Sequence, residues 1–174
     1  MNRTGRILLL VLFFILTGCA TRGSQLETVS DVDIERYMGD WYVIAHIPAF
    51  IEKHAYNAME SYRLDGDRIE TTFSFRNKGF DGPKKEYHPN AIITDPVTNA
   101  VWGMQFVWPF RSDFRIVYLN DDYTTTIIGR NKRDYVWIMA REPEISEQEY
   151  ERLARLVGEM GYDTSELRRV PQRW

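Results

Sequence analysis

Eight runs of alternating or β-branched residues follow one another along this chain, with turns between them and no helical stretch to interrupt. They span residues 39–48, 56–64, 68–76, 86–94, 100–107, 114–119, 123–130 and 135–141. The links carry turn chemistry. Asp65-Gly66-Asp67 is a hairpin signal, Gly79, Gly82 and Pro83 break the next link, and Asp95-Pro96 and Asn120-Asp121-Asp122 mark further reversals. Links this short favour an up-and-down meander over a Greek key, which needs one long crossover. Eight strands closed on themselves leave an interior for side chains or one small ligand. The expected fold class is therefore all-β, an eight-stranded antiparallel up-and-down barrel.

After residue 141 the period changes. Ser146 with Glu149 forms a capping box, and Tyr150, Leu153, Val157 and Met160 recur at helical spacing. Gly161 stands where a helix ends. This predicts one C-terminal α-helix packed outside the barrel, with residues 167–174 available as a short edge strand despite Pro171. A helical turn is also expected within 31–38, ahead of the first strand.

The N-terminus reads as a leader. Arg3 and Arg6 precede an apolar run over residues 7–16, too short to span a bilayer comfortably and placed like the core of a signal peptide. Leu16-Thr17-Gly18-Cys19 follows and resembles a bacterial lipobox, which implies cleavage after residue 18 and acylation of Cys19, the one cysteine in the chain. Several acyl chains on one cysteine make a stable tether where a single chain does not. Ala20 after the cysteine, in place of aspartate, implies by the same resemblance export to an outer membrane. Residues 19–30 are then the acylated cysteine and a flexible spacer, and residues 31–174 the barrel domain. Cleavage removes two arginines and no acid, so the net charge falls from −3 to −5. That balance argues against a nucleic-acid partner and against electrostatic adhesion to anionic lipid.

The first strand opens Gly39-Asp40-Trp41. Glycine permits close backbone approach, and the tryptophan brings roughly 150–250 Å² of surface to bury. Leu119-Asn120-Asp121-Asp122-Tyr123 lies in the turn between the sixth and seventh strands. Tyr135-Val136-Trp137-Ile138-Met139-Ala140-Arg141 forms the eighth, with the helix after it. These three features in this order resemble a lipocalin, and with the lipobox the chain is similar to the bacterial outer-membrane lipocalins. The resemblance implies that Gly39, Trp41 and Arg141 close the barrel base, with Arg141 lying across the Trp41 ring, a contact worth roughly 0.5–2 kcal/mol. It also implies an outer-membrane, periplasm-facing location. Asn120 departs from the aspartate usual in that turn, which puts its geometry, not the fold, in question.

Alternation sorts the strand faces. Glu60 and Tyr62 fall on the inner face of the second strand, because Ser61 and Arg63 suit solvent. Phe73 and Phe75 point inward from the third, and Phe114, Ile116 and Tyr118 from the sixth. The expected cavity is aromatic and apolar, which suits an acyl chain. Glu60 is its anomaly, since a carboxylate there is costly unless paired or protonated. It is a ligand head-group anchor, an acid held neutral, or a residue salt-bridged at the rim. The same alternation places His46 with Tyr42 and Ile44, opposite Trp41. Phe50, Ile51, Trp108 and Phe110 lie in loops, where they either form an apolar lip at the open mouth beside the tether or pack within the loops themselves.

The leading functional expectation is a tethered, non-catalytic binding protein for a hydrophobic small molecule, a fatty acid or lysophospholipid, acting as a monomer or weak dimer. No catalytic elbow is present, and His46, His54 and His88 lack metal-site spacing, so no cofactor or metal is expected. A lipid- or isoprenoid-modifying enzyme on the same barrel, and a structural envelope lipoprotein with a filled interior, are the alternatives.

Overall fold

The computed structural model describes residues 25–174. Cys19 and the leader lie outside the described residues. Ten strands form one sheet: β1 (Gly39–Ile47), β2 (Ala55–Asp65), β3 (Arg68–Asn77), β4 (Lys84–Tyr87), β5 (Asn90–Ile93), β6 (Val101–Val107), β7 (Phe110–Leu119), β8 (Thr125–Gly129), β9 (Val136–Ala140) and β10 (Arg168–Arg169). Each pairs antiparallel with its neighbour, and β9 returns to β1 to close the barrel. β4 and β5 are two pieces of one stave, both paired to β3. The sequence predicts a continuous strand over 86–94, but Pro89 has no N–H for the ladder and splits it. The Pro89 carbonyl still accepts from the Thr71 N–H at 3.1 Å, so the barrel keeps eight staves.

The ladders carry four register shifts, and two of them overturn the side that alternation gives to a named residue. Pairing of β1 with β9 shifts between Val43 and Ala45. Ile44 and Ala45 both face outward as a result, and His46 turns into the barrel, opposite to its expected side. In β7 the register shifts between Ile116 and Tyr118. Val117 and Tyr118 then both join the outer apolar cluster, while Leu119 packs against the inner one. Tyr118 is thus not a cavity residue; its hydroxyl bonds to Arg152 at 2.6 Å on the outer helix.

The base of the barrel is a solid plug. α1 (Ile34–Tyr37) is capped by Asp33, whose carboxylate accepts from the Arg36 N–H. It places Tyr37 under the strands, 5.0 Å between ring centres from Trp41 and 5.5 Å from Trp102. Gly39 adopts φ +94°, a conformation glycine tolerates, as the chain turns from α1 into β1. The Arg141 guanidinium lies 3.8 Å from the centre of the Trp41 ring.

Outside, α2 (Glu147–Glu159) is capped by Ser146 and buries Leu153 and Val157 against Ile127, Val136 and Ile138. After it, β10 pairs with β1 where β2 has diverged. Gln172 then donates to the carbonyls of Val43 and Ala58, filling the gap between those strands.

Residues 25–30, expected to be flexible spacer, lie along the outer wall. The Leu26 N–H donates to the Asn131 Oδ1 at 2.8 Å, and Leu26 is buried. Val29 N–H bonds to the Ile116 carbonyl and Val32 N–H to that of Thr98. Residues 26–30 thus pack against the barrel, because Leu26 has a built socket. That socket depends on Gly129, where an added Cβ would stand 2.6 Å from a Leu26 methyl and 2.7 Å from the Tyr162 hydroxyl. Gly129→Ala is expected to lower stability by about 1–3 kcal/mol in a urea titration. Adding Leu26→Ala to that variant should recover part of the loss, and equal costs with and without the second change would refute the socket.

Candidate ligand-binding site

Above the aromatic plug the barrel holds a cavity of about 280 Å³, open toward the loops that follow β1, β3, β6 and β8. Its wall is largely apolar: Phe73 of β3, Met104 and Phe106 of β6, Phe114 of β7 and Trp137 of β9. Ile51, in the 3-10 turn over Phe50–Glu52, adds to the rim and is exposed. The floor exists because Tyr62, Trp102 and Phe114 pack edge-to-face and stacked, with Trp102 and Phe114 ring centres 4.8 Å apart. That stack fills the lower part of the barrel and sets the depth of the cavity above it.

The residues named from sequence divide accordingly. Glu60, Phe73 and Phe114 line the cavity. Tyr62, Phe75 and Ile116 are buried in the inner core but do not reach the open space. Tyr62 acts through Glu60, donating its hydroxyl to the carboxylate. Tyr118 faces away, as its bulge dictates. Gly39, Trp41 and Arg141 lie at the far end, in the plug.

The polar lining is richer than one carboxylate. Glu52, buried in the turn after β1, accepts from the Ala49 N–H at 2.9 Å and from the Trp137 indole at 3.2 Å. His46 Nδ1 stands 3.5 Å from Glu52 Oε2 without hydrogen-bond geometry, so it is a buried nitrogen with no partner. Burial, reinforced by the nearby Glu52 charge, pushes the Glu60 carboxyl up to about 7, against the opposing hydrogen bond from Tyr62. Burial and the Glu60 charge raise the Tyr62 hydroxyl well above its usual range, so it remains the donor. At the rim, Arg130 pairs with Asp134 at 3.3 Å and lies over the Tyr135 ring. The site can thus hold a narrow apolar body, with one acid that titrates near neutrality at the floor and cations at the mouth. Among the described residues, no three His, Cys, Asp or Glu side chains gather to hold a metal ion.

Sequence reasoning missed Glu52, Trp137, Met104 and Arg130. Trp137 was legible in the sequence, since it shares a strand face with Tyr135, Met139 and Arg141. Glu52 was not, because its role depends on a turn that swings it back over the cavity.

Residues 32–172 match the model of the lipocalin-like domain. The chain is 30% identical over 165 residues to temperature-induced lipocalin-1 of Arabidopsis thaliana, covering 87% of this chain and 86% of that one. It is 26% identical over 164 residues to the outer membrane lipoprotein Blc of Escherichia coli, covering 91% of each. Among solved structures, insecticyanin from the tobacco hornworm Manduca sexta superposes with a TM-score of 0.65 at 17% identity, covering 83% of each chain. Lobster apocrustacyanin A1 gives 0.64 at 13%, covering 82% of this chain and 81% of that one. Sequence and architecture agree, and the chain belongs to the lipocalin family.

Proposed function

We propose that this lipocalin is a tethered binding protein that holds one single-chain lipid, a fatty acid or a lysophospholipid, for carriage or storage at the cell envelope. The observation that carries the reading is the cavity: enclosed by aromatic and aliphatic side chains, floored, and open at one end. Its volume lies at the small end of ligand pockets, which suits one narrow chain better than a diacyl lipid. Burial of an acyl chain contributes about 0.8 kcal/mol per CH₂, enough for micromolar binding after ordering costs.

Polarity sets the orientation. The apolar tail enters toward Phe73 and Phe114 beside a protonated Glu60, and the anionic head stays at the mouth near Arg130. Binding then tightens as pH falls below about 7, because an apolar tail penalises an ionised neighbour. Signal-peptide cleavage after residue 18 and acylation of Cys19 would place the barrel on an outer membrane facing the periplasm. The Blc relatives of Escherichia coli and Vibrio cholerae are outer membrane lipoproteins, which supports that address. The reading is non-catalytic. Glu60, with the Tyr62 hydroxyl donating to it from below, is the acid–base candidate, and loss of a measurable turnover in Glu60→Gln with binding intact would reverse that part.

Native mass spectrometry of the purified protein, incubated with envelope lipid extract, tests the reading. One single-chain lipid per protein is expected. Recovery of the bare protein alone, or of diacyl lipid, would contradict it.

A further inference from the structure

We infer that the open mouth of the barrel docks on the surface of an anionic bilayer, so that a lipid passes between membrane and cavity without crossing water. Three independent features of the fold converge on that end.

The first is where the chain enters. Leu26 is pinned to Asn131, a residue of the mouth loop between β8 and β9, and the segment then runs down the wall to Val32 at the base. Six residues lie between Cys19 and Leu26, and the seven Cα–Cα steps span at most about 25 Å fully stretched. A barrel of ten-residue staves, tilted at 35–45°, stands roughly 25 Å tall. An anchored chain therefore reaches a membrane easily at the mouth, and at the base only with its linker pulled straight. This feature rests on the proposed acylation of Cys19; the other two do not.

The second is the hairpin tip that joins β6 to β7. Val107, Trp108 and Phe110 are 67%, 82% and 76% exposed, and Phe106 and Ile51 beside them are about half exposed. Exposed tryptophan and phenylalanine in one loop match the amphipathic interface of a bilayer.

The third is charge. Lys53, Lys78, Lys84, Lys85, Arg111 and Lys132 are exposed around the mouth. The exposed acids at that end include Glu27 and Glu159, while Asp81, Glu86 and Asp134 are each paired to a base. The base of the barrel has the opposite sign: Asp31, Asp33, Asp65, Asp67, Asp121 and Asp122 are exposed against Arg36, Arg63 and Arg68. The acidic total expected to repel anionic lipid thus conceals a separation of charge along the barrel axis, which turns the mouth toward a negative surface.

The test uses the full chain in phosphatidylethanolamine–phosphatidylglycerol vesicles. A cysteine is introduced at Trp108 in the hairpin tip or at Val97, 82% exposed at the base, and labelled with an environment-sensitive fluorophore. Acylation leaves the new cysteine as the one reactive thiol, and the intact mass reports separately whether Cys19 carries lipid. The expected result is a blue shift and quenching by brominated lipid at 108, with neither at 97. If Cys19 proves unmodified, the same pair is measured in the Cys19→Ser chain at low salt, where the same asymmetry is expected. In that chain, Lys53→Glu and Lys132→Glu should each weaken vesicle binding roughly fivefold or more. Equal responses at the two sites, or a response at 97 alone, would overturn the proposal.

Discussion

Glu60→Gln is expected to make this protein more stable at pH 8, by up to about 3 kcal/mol, and to change it little near pH 4.5. The reason is the raised pKa of a buried acid. In the unfolded chain Glu60 titrates near 4.5, and in the folded barrel at about 7. Between those values the folded state holds a proton that the unfolded state has released. Stability is therefore lost as pH rises through that window, and the full penalty is present above it. Glutamine keeps an oxygen to accept from Tyr62 and carries no charge, so it removes the penalty. The groups facing Glu60 are Tyr62 and Glu52, and the second carboxylate only deepens the effect. Urea titrations of both proteins at the two pH values measure it. A midpoint difference that is the same at both would refute the assignment.

Arg141→Ala should cost about 3–5 kcal/mol, the scale of a broken buried network. The guanidinium donates to the carbonyls of Arg36, Tyr37, Met38, Asp40 and Tyr123, at 2.7 to 3.3 Å. It also covers the Trp41 face. These carbonyls include the C-terminal end of α1, whose orphan acceptors have no helical partner. Truncation leaves them facing one another under a hydrophobic plug. Arg141→Lys should recover little, because an ammonium cannot reach this fan of acceptors at once. Trp41→Ala should cost a similar 3–5 kcal/mol. The double variant should fall short of the sum, since both remove the same contact. Where these proteins remain folded, ligand affinity should be unchanged, because the plug lies below the floor of the cavity. A large affinity loss in a folded Arg141→Lys protein would show that base and cavity are coupled.

The barrel was legible because its periodicities are local. Each run alternates and each link is short, so order and pairing followed from spacing. The base constellation was legible too, since Gly39, Trp41 and Arg141 sit at fixed places relative to the first and last strands. What could not be read were the two bulges. Ile44-Ala45 and Val117-Tyr118 contain nothing that announces an extra residue. Yet each bulge reverses every side chain beyond it until the next irregularity, which moved His46 inward and Tyr118 outward. The size of the cavity was equally hidden. Tyr62, Phe73, Phe75 and Phe114 all point into the barrel, but which of them line space and which fill it depends on Trp102 stacking beneath them. Charge was misleading in a different way. A net value of −5 for the expected mature chain says nothing of where the charges lie, and here they segregate by end.

The proposed function rests on a cavity above the aromatic floor that takes one hydrophobic chain. It is tested most directly by equilibrium titration of a fluorescent single-chain fatty acid into the wild-type protein and into Ser112→Trp. Ser112 lines the cavity and is only half-buried, so a large side chain there blocks the space without repacking the core. Micromolar or tighter binding to the wild type is expected. Binding to the variant should be at least tenfold weaker, about 1.4 kcal/mol, at unchanged stability. Equal binding by the two proteins, or none by either, would contradict it.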